Sequence, residues 1–138
     1  MKTKTKTQGL PDPPKKGQTM WHEKRQAFAK SDPLRMVFVT APENEAEKIA
    51  RTLLEERHIA CANLIKGVSS HYWWEGKIES STETLIVMKT TVSKMNPLIK
   101  RARELHSYSV PEVVALAIME SNPSYAAWVA RETNGAGK

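Results

Sequence analysis

Ten residues constrain this chain more than any others: Ser70-His71-Tyr72-Trp73-Trp74-Glu75-Gly76-Lys77-Ile78-Glu79. Aromatic side chains run straight into a two-residue Glu-Gly turn, with extended segments on both sides. That pattern predicts the tip of a long β-hairpin.

The segments around it alternate between strand and helix patterns. Leu34-Arg35-Met36-Val37-Phe38-Val39 is an apolar run of strand length, and Thr40-Ala41-Pro42 stops it, because proline cannot donate to a ladder. Ala46, Ile49, Ala50, Leu53 and Leu54 then recur at helical spacing, with Glu43, Glu45 and Glu47 at the positive end of the dipole and Arg57 and His58 at its close. Ile59 to Ile65 predicts a second strand. After Gly67 the chain is extended again to Trp74, and it returns from Lys77 to Thr91. The return arm ends in Leu85-Ile86-Val87-Met88, apolar on both faces and so expected near the middle of a sheet.

Ser93 is placed to cap a second helix with the stripe Met95, Leu98, Ile99, Ala102 and Leu105, where Pro97 is tolerated only in the first turn. Lys100, Arg101 and Arg103 suit its C-terminal half. Val113 to Met119 predicts a fourth strand buried on both faces, and Asn122-Pro123 opens a last short helix containing Tyr125 and Trp128.

Strand, helix, strand, strand, helix, strand is the split βαβ order of an α+β, ferredoxin-like βαββαβ fold. Its antiparallel sheet carries both helices on one face. Tyr72, Trp73, Trp74 and the doubly apolar strands exceed what one helical layer can bury, and an apolar patch of that kind marks an interface, so a homo-oligomer is expected.

Length and composition agree with a single domain. The 138 residues are 40% hydrophobic, enough for a core. Cys61 is the only cysteine, so no internal disulfide forms, and a reducing, cytoplasmic location fits best. No window approaches the roughly 18 apolar residues of a membrane span, and no membrane partner is expected. The net charge of +6 sits almost wholly in residues 1–32, which hold eight basic residues against three acidic ones, whereas residues 33–138 hold 13 against 12. Those first residues, with their Lys-Thr repeat and Pro11, Pro13, Pro14 and Gly17, read as a basic extension, disordered up to Met20, ahead of the domain at 33–138. Met20–Lys30 could form a short docking helix through Trp21 and Phe28. No aromatic residues alternate with the lysines, which argues against a nucleic-acid arm.

Five motifs in order carry a family resemblance: Thr40-Ala41-Pro42, Arg57-x-Ile59-Ala60-Cys61-Ala62-Asn63, Tyr72-x-Trp74-x-Gly76-Lys77-Ile78-Glu79, Lys89-Thr90, and His106-x-Tyr108-x-Val110-Pro111-Glu112. Between about Met36 and Val129 the chain resembles the divalent-cation tolerance (CutA) family. The resemblance implies a ferredoxin-like homotrimer whose long hairpins reach neighbouring subunits, and a link to tolerance of copper and other divalent cations. It implies no defined reaction. In some bacterial members the copper-associated positions are a cysteine before Thr-Ala-Pro and two adjacent histidines; here Val39 and Leu105-His106 occupy them. His106-Ser107-Tyr108 also replaces the family's His-Pro-Tyr, which removes a φ constraint.

Two constellations are candidates for chemistry. The first is a weak Cu²⁺ or other divalent-cation site at His106, with Glu83 of the return arm as a second ligand; imidazole suits copper or zinc, and Glu112 lies near enough in sequence to fix its tautomer. The competing reading is a histidine bonded to helix-end carbonyls, and an ordinary strand glutamate. The second is Trp74, Glu79, Lys89, Tyr108 and Glu112, a mixture of aromatic and charged groups that suits a cleft for a small polar ligand or an inter-subunit anchor. Cys61 reads as an inert core thiol, His71 as an interface residue, and His22 and His58 as surface residues.

Catalysis finds no support. The sequence has no phosphate-cradling glycine loop, no Gly-x-Ser-x-Gly elbow and no His-Glu-x-x-His helix. The acidic, glycine-free stretch after the first strand would repel a phosphate, which argues against an acylphosphatase-like hydrolase. The leading expectation is a non-catalytic, metal-responsive or ligand-binding signalling module, with no obligatory cofactor. The alternative is a structural trimeric platform that recruits an acidic partner through the basic extension.

Overall fold

The computed structural model describes residues 32–135. The expected extension up to Met20, the Met20–Lys30 helix and His22 lie outside these residues. The elements are β1 (Leu34–Ala41), α1 (Glu43–Glu55), β2 (Cys61–Trp74), β3 (Lys77–Thr91), α2 (Met95–Leu105), β4 (Val113–Ala117) and α3 (Pro123–Thr133), with a 3₁₀ turn at Val92–Lys94. The strands form one antiparallel sheet in the order β2-β3-β1-β4, as the ferredoxin-like expectation requires.

The helical stripes predicted from spacing form the core. Ala46, Ile49, Ala50 and Leu53 of α1 and Leu98 and Ala102 of α2 close over Val37, Val39, Ala41, Ile86 and Met88 of the sheet. Each large aliphatic side chain buried there contributes about 1.5–3 kcal/mol. A second, smaller cluster joins Leu34 to Ala126 and Val129, which docks α3 at the end of the sheet.

α1 ends in a Schellman arrangement: His58 N donates to the Leu53 carbonyl and Arg57 N to the Leu54 carbonyl. The left-handed position that closes it is held by Arg57 (φ 65°) instead of glycine. The Arg57 guanidinium donates to both the main-chain oxygen and the carboxylate of Glu132, at 2.9 and 2.8 Å, and so ties this turn to α3.

Ser93 does not cap α2. Its hydroxyl donates to Asp32 at 2.8 Å and meets Thr91, while the helix starts two residues later. β4 is also corrected. It is a five-residue edge strand, and Val114, Ala115, Leu116 and Ala117 are exposed. Burial on both faces fails because no strand among the described residues pairs beyond it and the helices cover one side only.

Residues directly opposite in an antiparallel pair share a face. The register therefore gathers Met36, Phe38, Leu85, Val87, Val114, Leu116 and Ile65 on the side away from α1 and α2. Ile65, Leu116 and Val114 are 50%, 48% and 45% exposed there, so the sheet presents an uncovered apolar face.

β1 pairs with β3 only as far as Thr84, whereas β2 stays paired to Lys77. The part of the hairpin beyond Thr84 therefore projects as a two-stranded arm, and residues 71–80 are all exposed. A bulge between Ile65 and Val68, with Gly67 at φ 74°, sets the arm's register. At the tip, Glu75 (φ 51°) and Gly76 (φ 81°) are both left-handed, the signature of a type I′ turn.

Candidate functional site

α2 stops at Leu105, and His106 turns to extended geometry (φ −86°, ψ 141°), which carries the chain back across the end of β1. The imidazole is buried there. Its Nε2–H donates to the Thr40 carbonyl at 2.7 Å, and its Nδ1 accepts from the Tyr108 backbone N–H at 3.2 Å. These two bonds assign the neutral Nε2–H tautomer. Both ring nitrogens are thus committed to main chain.

Tyr108 links the histidine to the hairpin. Its ring lies 4.5 Å from that of His106, tilted by 47°, and its hydroxyl donates to Glu83 Oε2 at 2.8 Å. Burial, and then the hydrogen bond and charge of Glu83, push the Tyr108 phenol well above its ordinary value. Glu83 stands on β3 opposite Val68 and is only 5% exposed. At the other wall, Thr40 Oγ1 donates to Glu112 Oε1 at 3.3 Å.

Register puts Tyr72, Trp74 and Glu79 on the same face of the arm as Glu83, with Trp73 and Ile78 on the reverse. The arm, the end of β1 and the α2–β4 loop enclose a cavity of about 860 Å³ that opens to solvent. Trp74, Glu79, Tyr108 and Glu112 all line it, as do Glu83, Tyr72 and Thr40.

Lys89 is the exception, and it does not line this cavity. It lies six residues along β3 from Glu83, about 20 Å at the usual strand rise, and its ammonium donates to Asn63 at 2.8 Å. The Lys89-Thr90 motif is close in sequence to nothing else at the site; only the strand's direction shows that it points to the far end.

The donors present do not fit a closed divalent-cation site. Glu83 and His106 sit at opposite ends of Tyr108, with both imidazole nitrogens bonded, and the described residues contain no group of three His, Cys, Asp or Glu side chains able to hold a metal ion. Cys61 is half-buried, with Sγ 3.4 Å from the Tyr125 hydroxyl; burial and that thiol push the Tyr125 phenol up to about 12. His71 is exposed on the reverse of the arm, between the hydroxyls of Ser69 and Ser80.

Sequence reading missed Tyr72 and Thr40 as cleft residues and assigned Glu83 to a metal. The alternation Tyr72, Trp74 and the two-residue turn already place Tyr72 and Glu79 on one face. Thr40 carries no such signal, because its role comes from a carbonyl and a hydroxyl facing a loop 66–72 residues away.

These features define an α+β domain of ferredoxin-like topology with a cleft at the root of a projecting hairpin. The model of the CutA1 divalent ion tolerance protein family matches residues 35–132, and the chain belongs to that family. It is 43% identical over 101 residues to the divalent-cation tolerance protein CutA of Thermus thermophilus, covering 72% of this chain and 97% of that one. With the chloroplastic protein CutA of Arabidopsis thaliana it shares 39% over 106 residues, 76% of this chain but 58% of that protein. The chain thus spans little more than half of that plant relative. Among solved structures, the Thermus thermophilus protein superposes with a TM-score of 0.70 at 40% identity over 72% of this chain and 97% of that one. The PII-like protein CutA from Nostoc, in apo form, superposes with a TM-score of 0.69 at 35% identity over 72% and 96%. Among the described residues no helix is long and apolar enough to cross a membrane.

Proposed function

We propose that this protein is a non-catalytic homotrimeric module that binds a small polar ligand in the cleft beneath its hairpin and serves in a divalent-cation response. The observation that carries the reading is the cavity itself, lined by aromatic rings and three carboxylates and built around two hydroxyl-to-carboxylate bonds, Tyr108 to Glu83 and Thr40 to Glu112. Convergent polar groups in a concave, partly aromatic pocket are the usual makings of a ligand site.

Trimerisation is supported by the uncovered apolar face and by the projecting arm. A two-stranded ribbon is marginal by itself, and neighbouring subunits would cover both. Direct copper binding is at most weak, since a cation reaching His106 has to displace a main-chain partner.

Thermal-shift screening against small polar compounds tests the cleft. A ligand that raises Tm for the wild type and not for Trp74→Ala supports the reading, and equal shifts in both overturn it. Light scattering tests the assembly, where a trimer that persists on dilution is expected. A folded monomer at micromolar concentration would sink it.

A further inference from the structure

The cleft's charge is one-sided. Glu79, Glu83 and Glu112 line it, and no lysine or arginine among the described residues does. Glu83 is the unusual member. It is 5% exposed and accepts a hydrogen bond from a neutral phenol, and among the described residues no cation pairs with it. A buried carboxylate with a single neutral donor is poorly compensated, and a positive group brought to it replaces lost solvation. The wall beside it is aromatic, formed by Tyr72, Trp74 and Tyr108. Ring faces attract cations and also cover methylene groups.

Two other ligand classes fit less well. An anion would meet three carboxylates. A hard divalent ion needs several oxygens converging at one point, and the described residues offer no such group. An ammonium group needs only one or two acceptors and accepts a π face as another partner.

We infer that the cleft binds a small organic cation, an aliphatic ammonium whose charge compensates Glu83 and whose carbon chain lies on the rings of Tyr72 and Trp74. This rests on the reading of the cavity as a ligand cleft and names the class of its ligand. The source taken is a free amine, because the cavity opens to solvent; a lysine of a second copy seated there would exclude all four probes below.

The test is calorimetric titration of the full chain with four probes of similar size: butylammonium, putrescine, butanol and butyrate. Binding by the two amines is expected, with putrescine tighter and both weakened by added salt. Glu83→Gln keeps an acceptor for Tyr108 and should lower amine affinity at least about tenfold, or about 1.4 kcal/mol, with an unchanged circular dichroism spectrum. Should the variant fold poorly, Glu112→Gln gives a second reading in the same direction. Butanol or butyrate binding as tightly as butylammonium overturns the inference while leaving a small-ligand cleft in place. Amine affinity unchanged in both variants overturns it as well. Failure of all four probes also overturns it, and the Trp74→Ala thermal-shift comparison then decides separately whether the cavity binds any ligand.

Discussion

The Tyr108 hydroxyl donates to Glu83 Oε2 across 2.8 Å, joining the loop after α2 to the root of the hairpin arm. Tyr108→Phe removes the donor and leaves the carboxylate buried without it. The expected cost is about 1–3 kcal/mol, read as a lower urea midpoint. A midpoint equal to wild type would mean that water replaces the phenol without loss.

Tyr108 and Tyr125 are expected to titrate above the ordinary phenol value of about 10, Tyr125 near 12. Both folded values are raised, so the protonated phenols contribute stability that is complete below about pH 10. It is lost as the pH rises through the folded values, because the unfolded chain gives up those protons first. Phenolate absorbance should therefore show two late-titrating groups, and urea midpoints should fall between pH 10 and 12. Flat midpoints across that window would contradict the shifts.

His106→Ala removes the donor to the Thr40 carbonyl and the acceptor for the Tyr108 N–H. A loss of about 2–4 kcal/mol is expected, combining unpaired backbone groups with a small cavity. Copper affinity measured by calorimetry should change little, since both ring nitrogens are already occupied. A tenfold fall would restore His106 as a ligand.

Glu75 adopts φ 51° in the turn at the tip. Asparagine tolerates the left-handed region better and makes the preferred Asn-Gly type I′ pair, so Glu75→Asn should stabilise by about 0.5–1 kcal/mol. Thermal denaturation checks it; a lower Tm would show that the Glu75 carboxylate has a role of its own.

The sequence by itself determined the elements of this fold. Stripes at helical spacing mark α1 and α2, and Glu75-Gly76 can close a hairpin only as a tight turn, because these are properties of neighbouring residues. Their order then leaves few topologies. The tertiary structure decided what faces what. Tyr108 meets Glu83 across 25 positions and His106 meets Thr40 across 66, while Lys89, on the same strand as Glu83, points to the other end of the sheet. Burial of β4 likewise depended on which strand holds the edge, and its apolar run carries no mark of that. Periodicity is local and survives in the sequence; register, edge position and side-chain partners arise only when distant segments pack, and a bulge such as the one at Gly67 resets them for every residue beyond it.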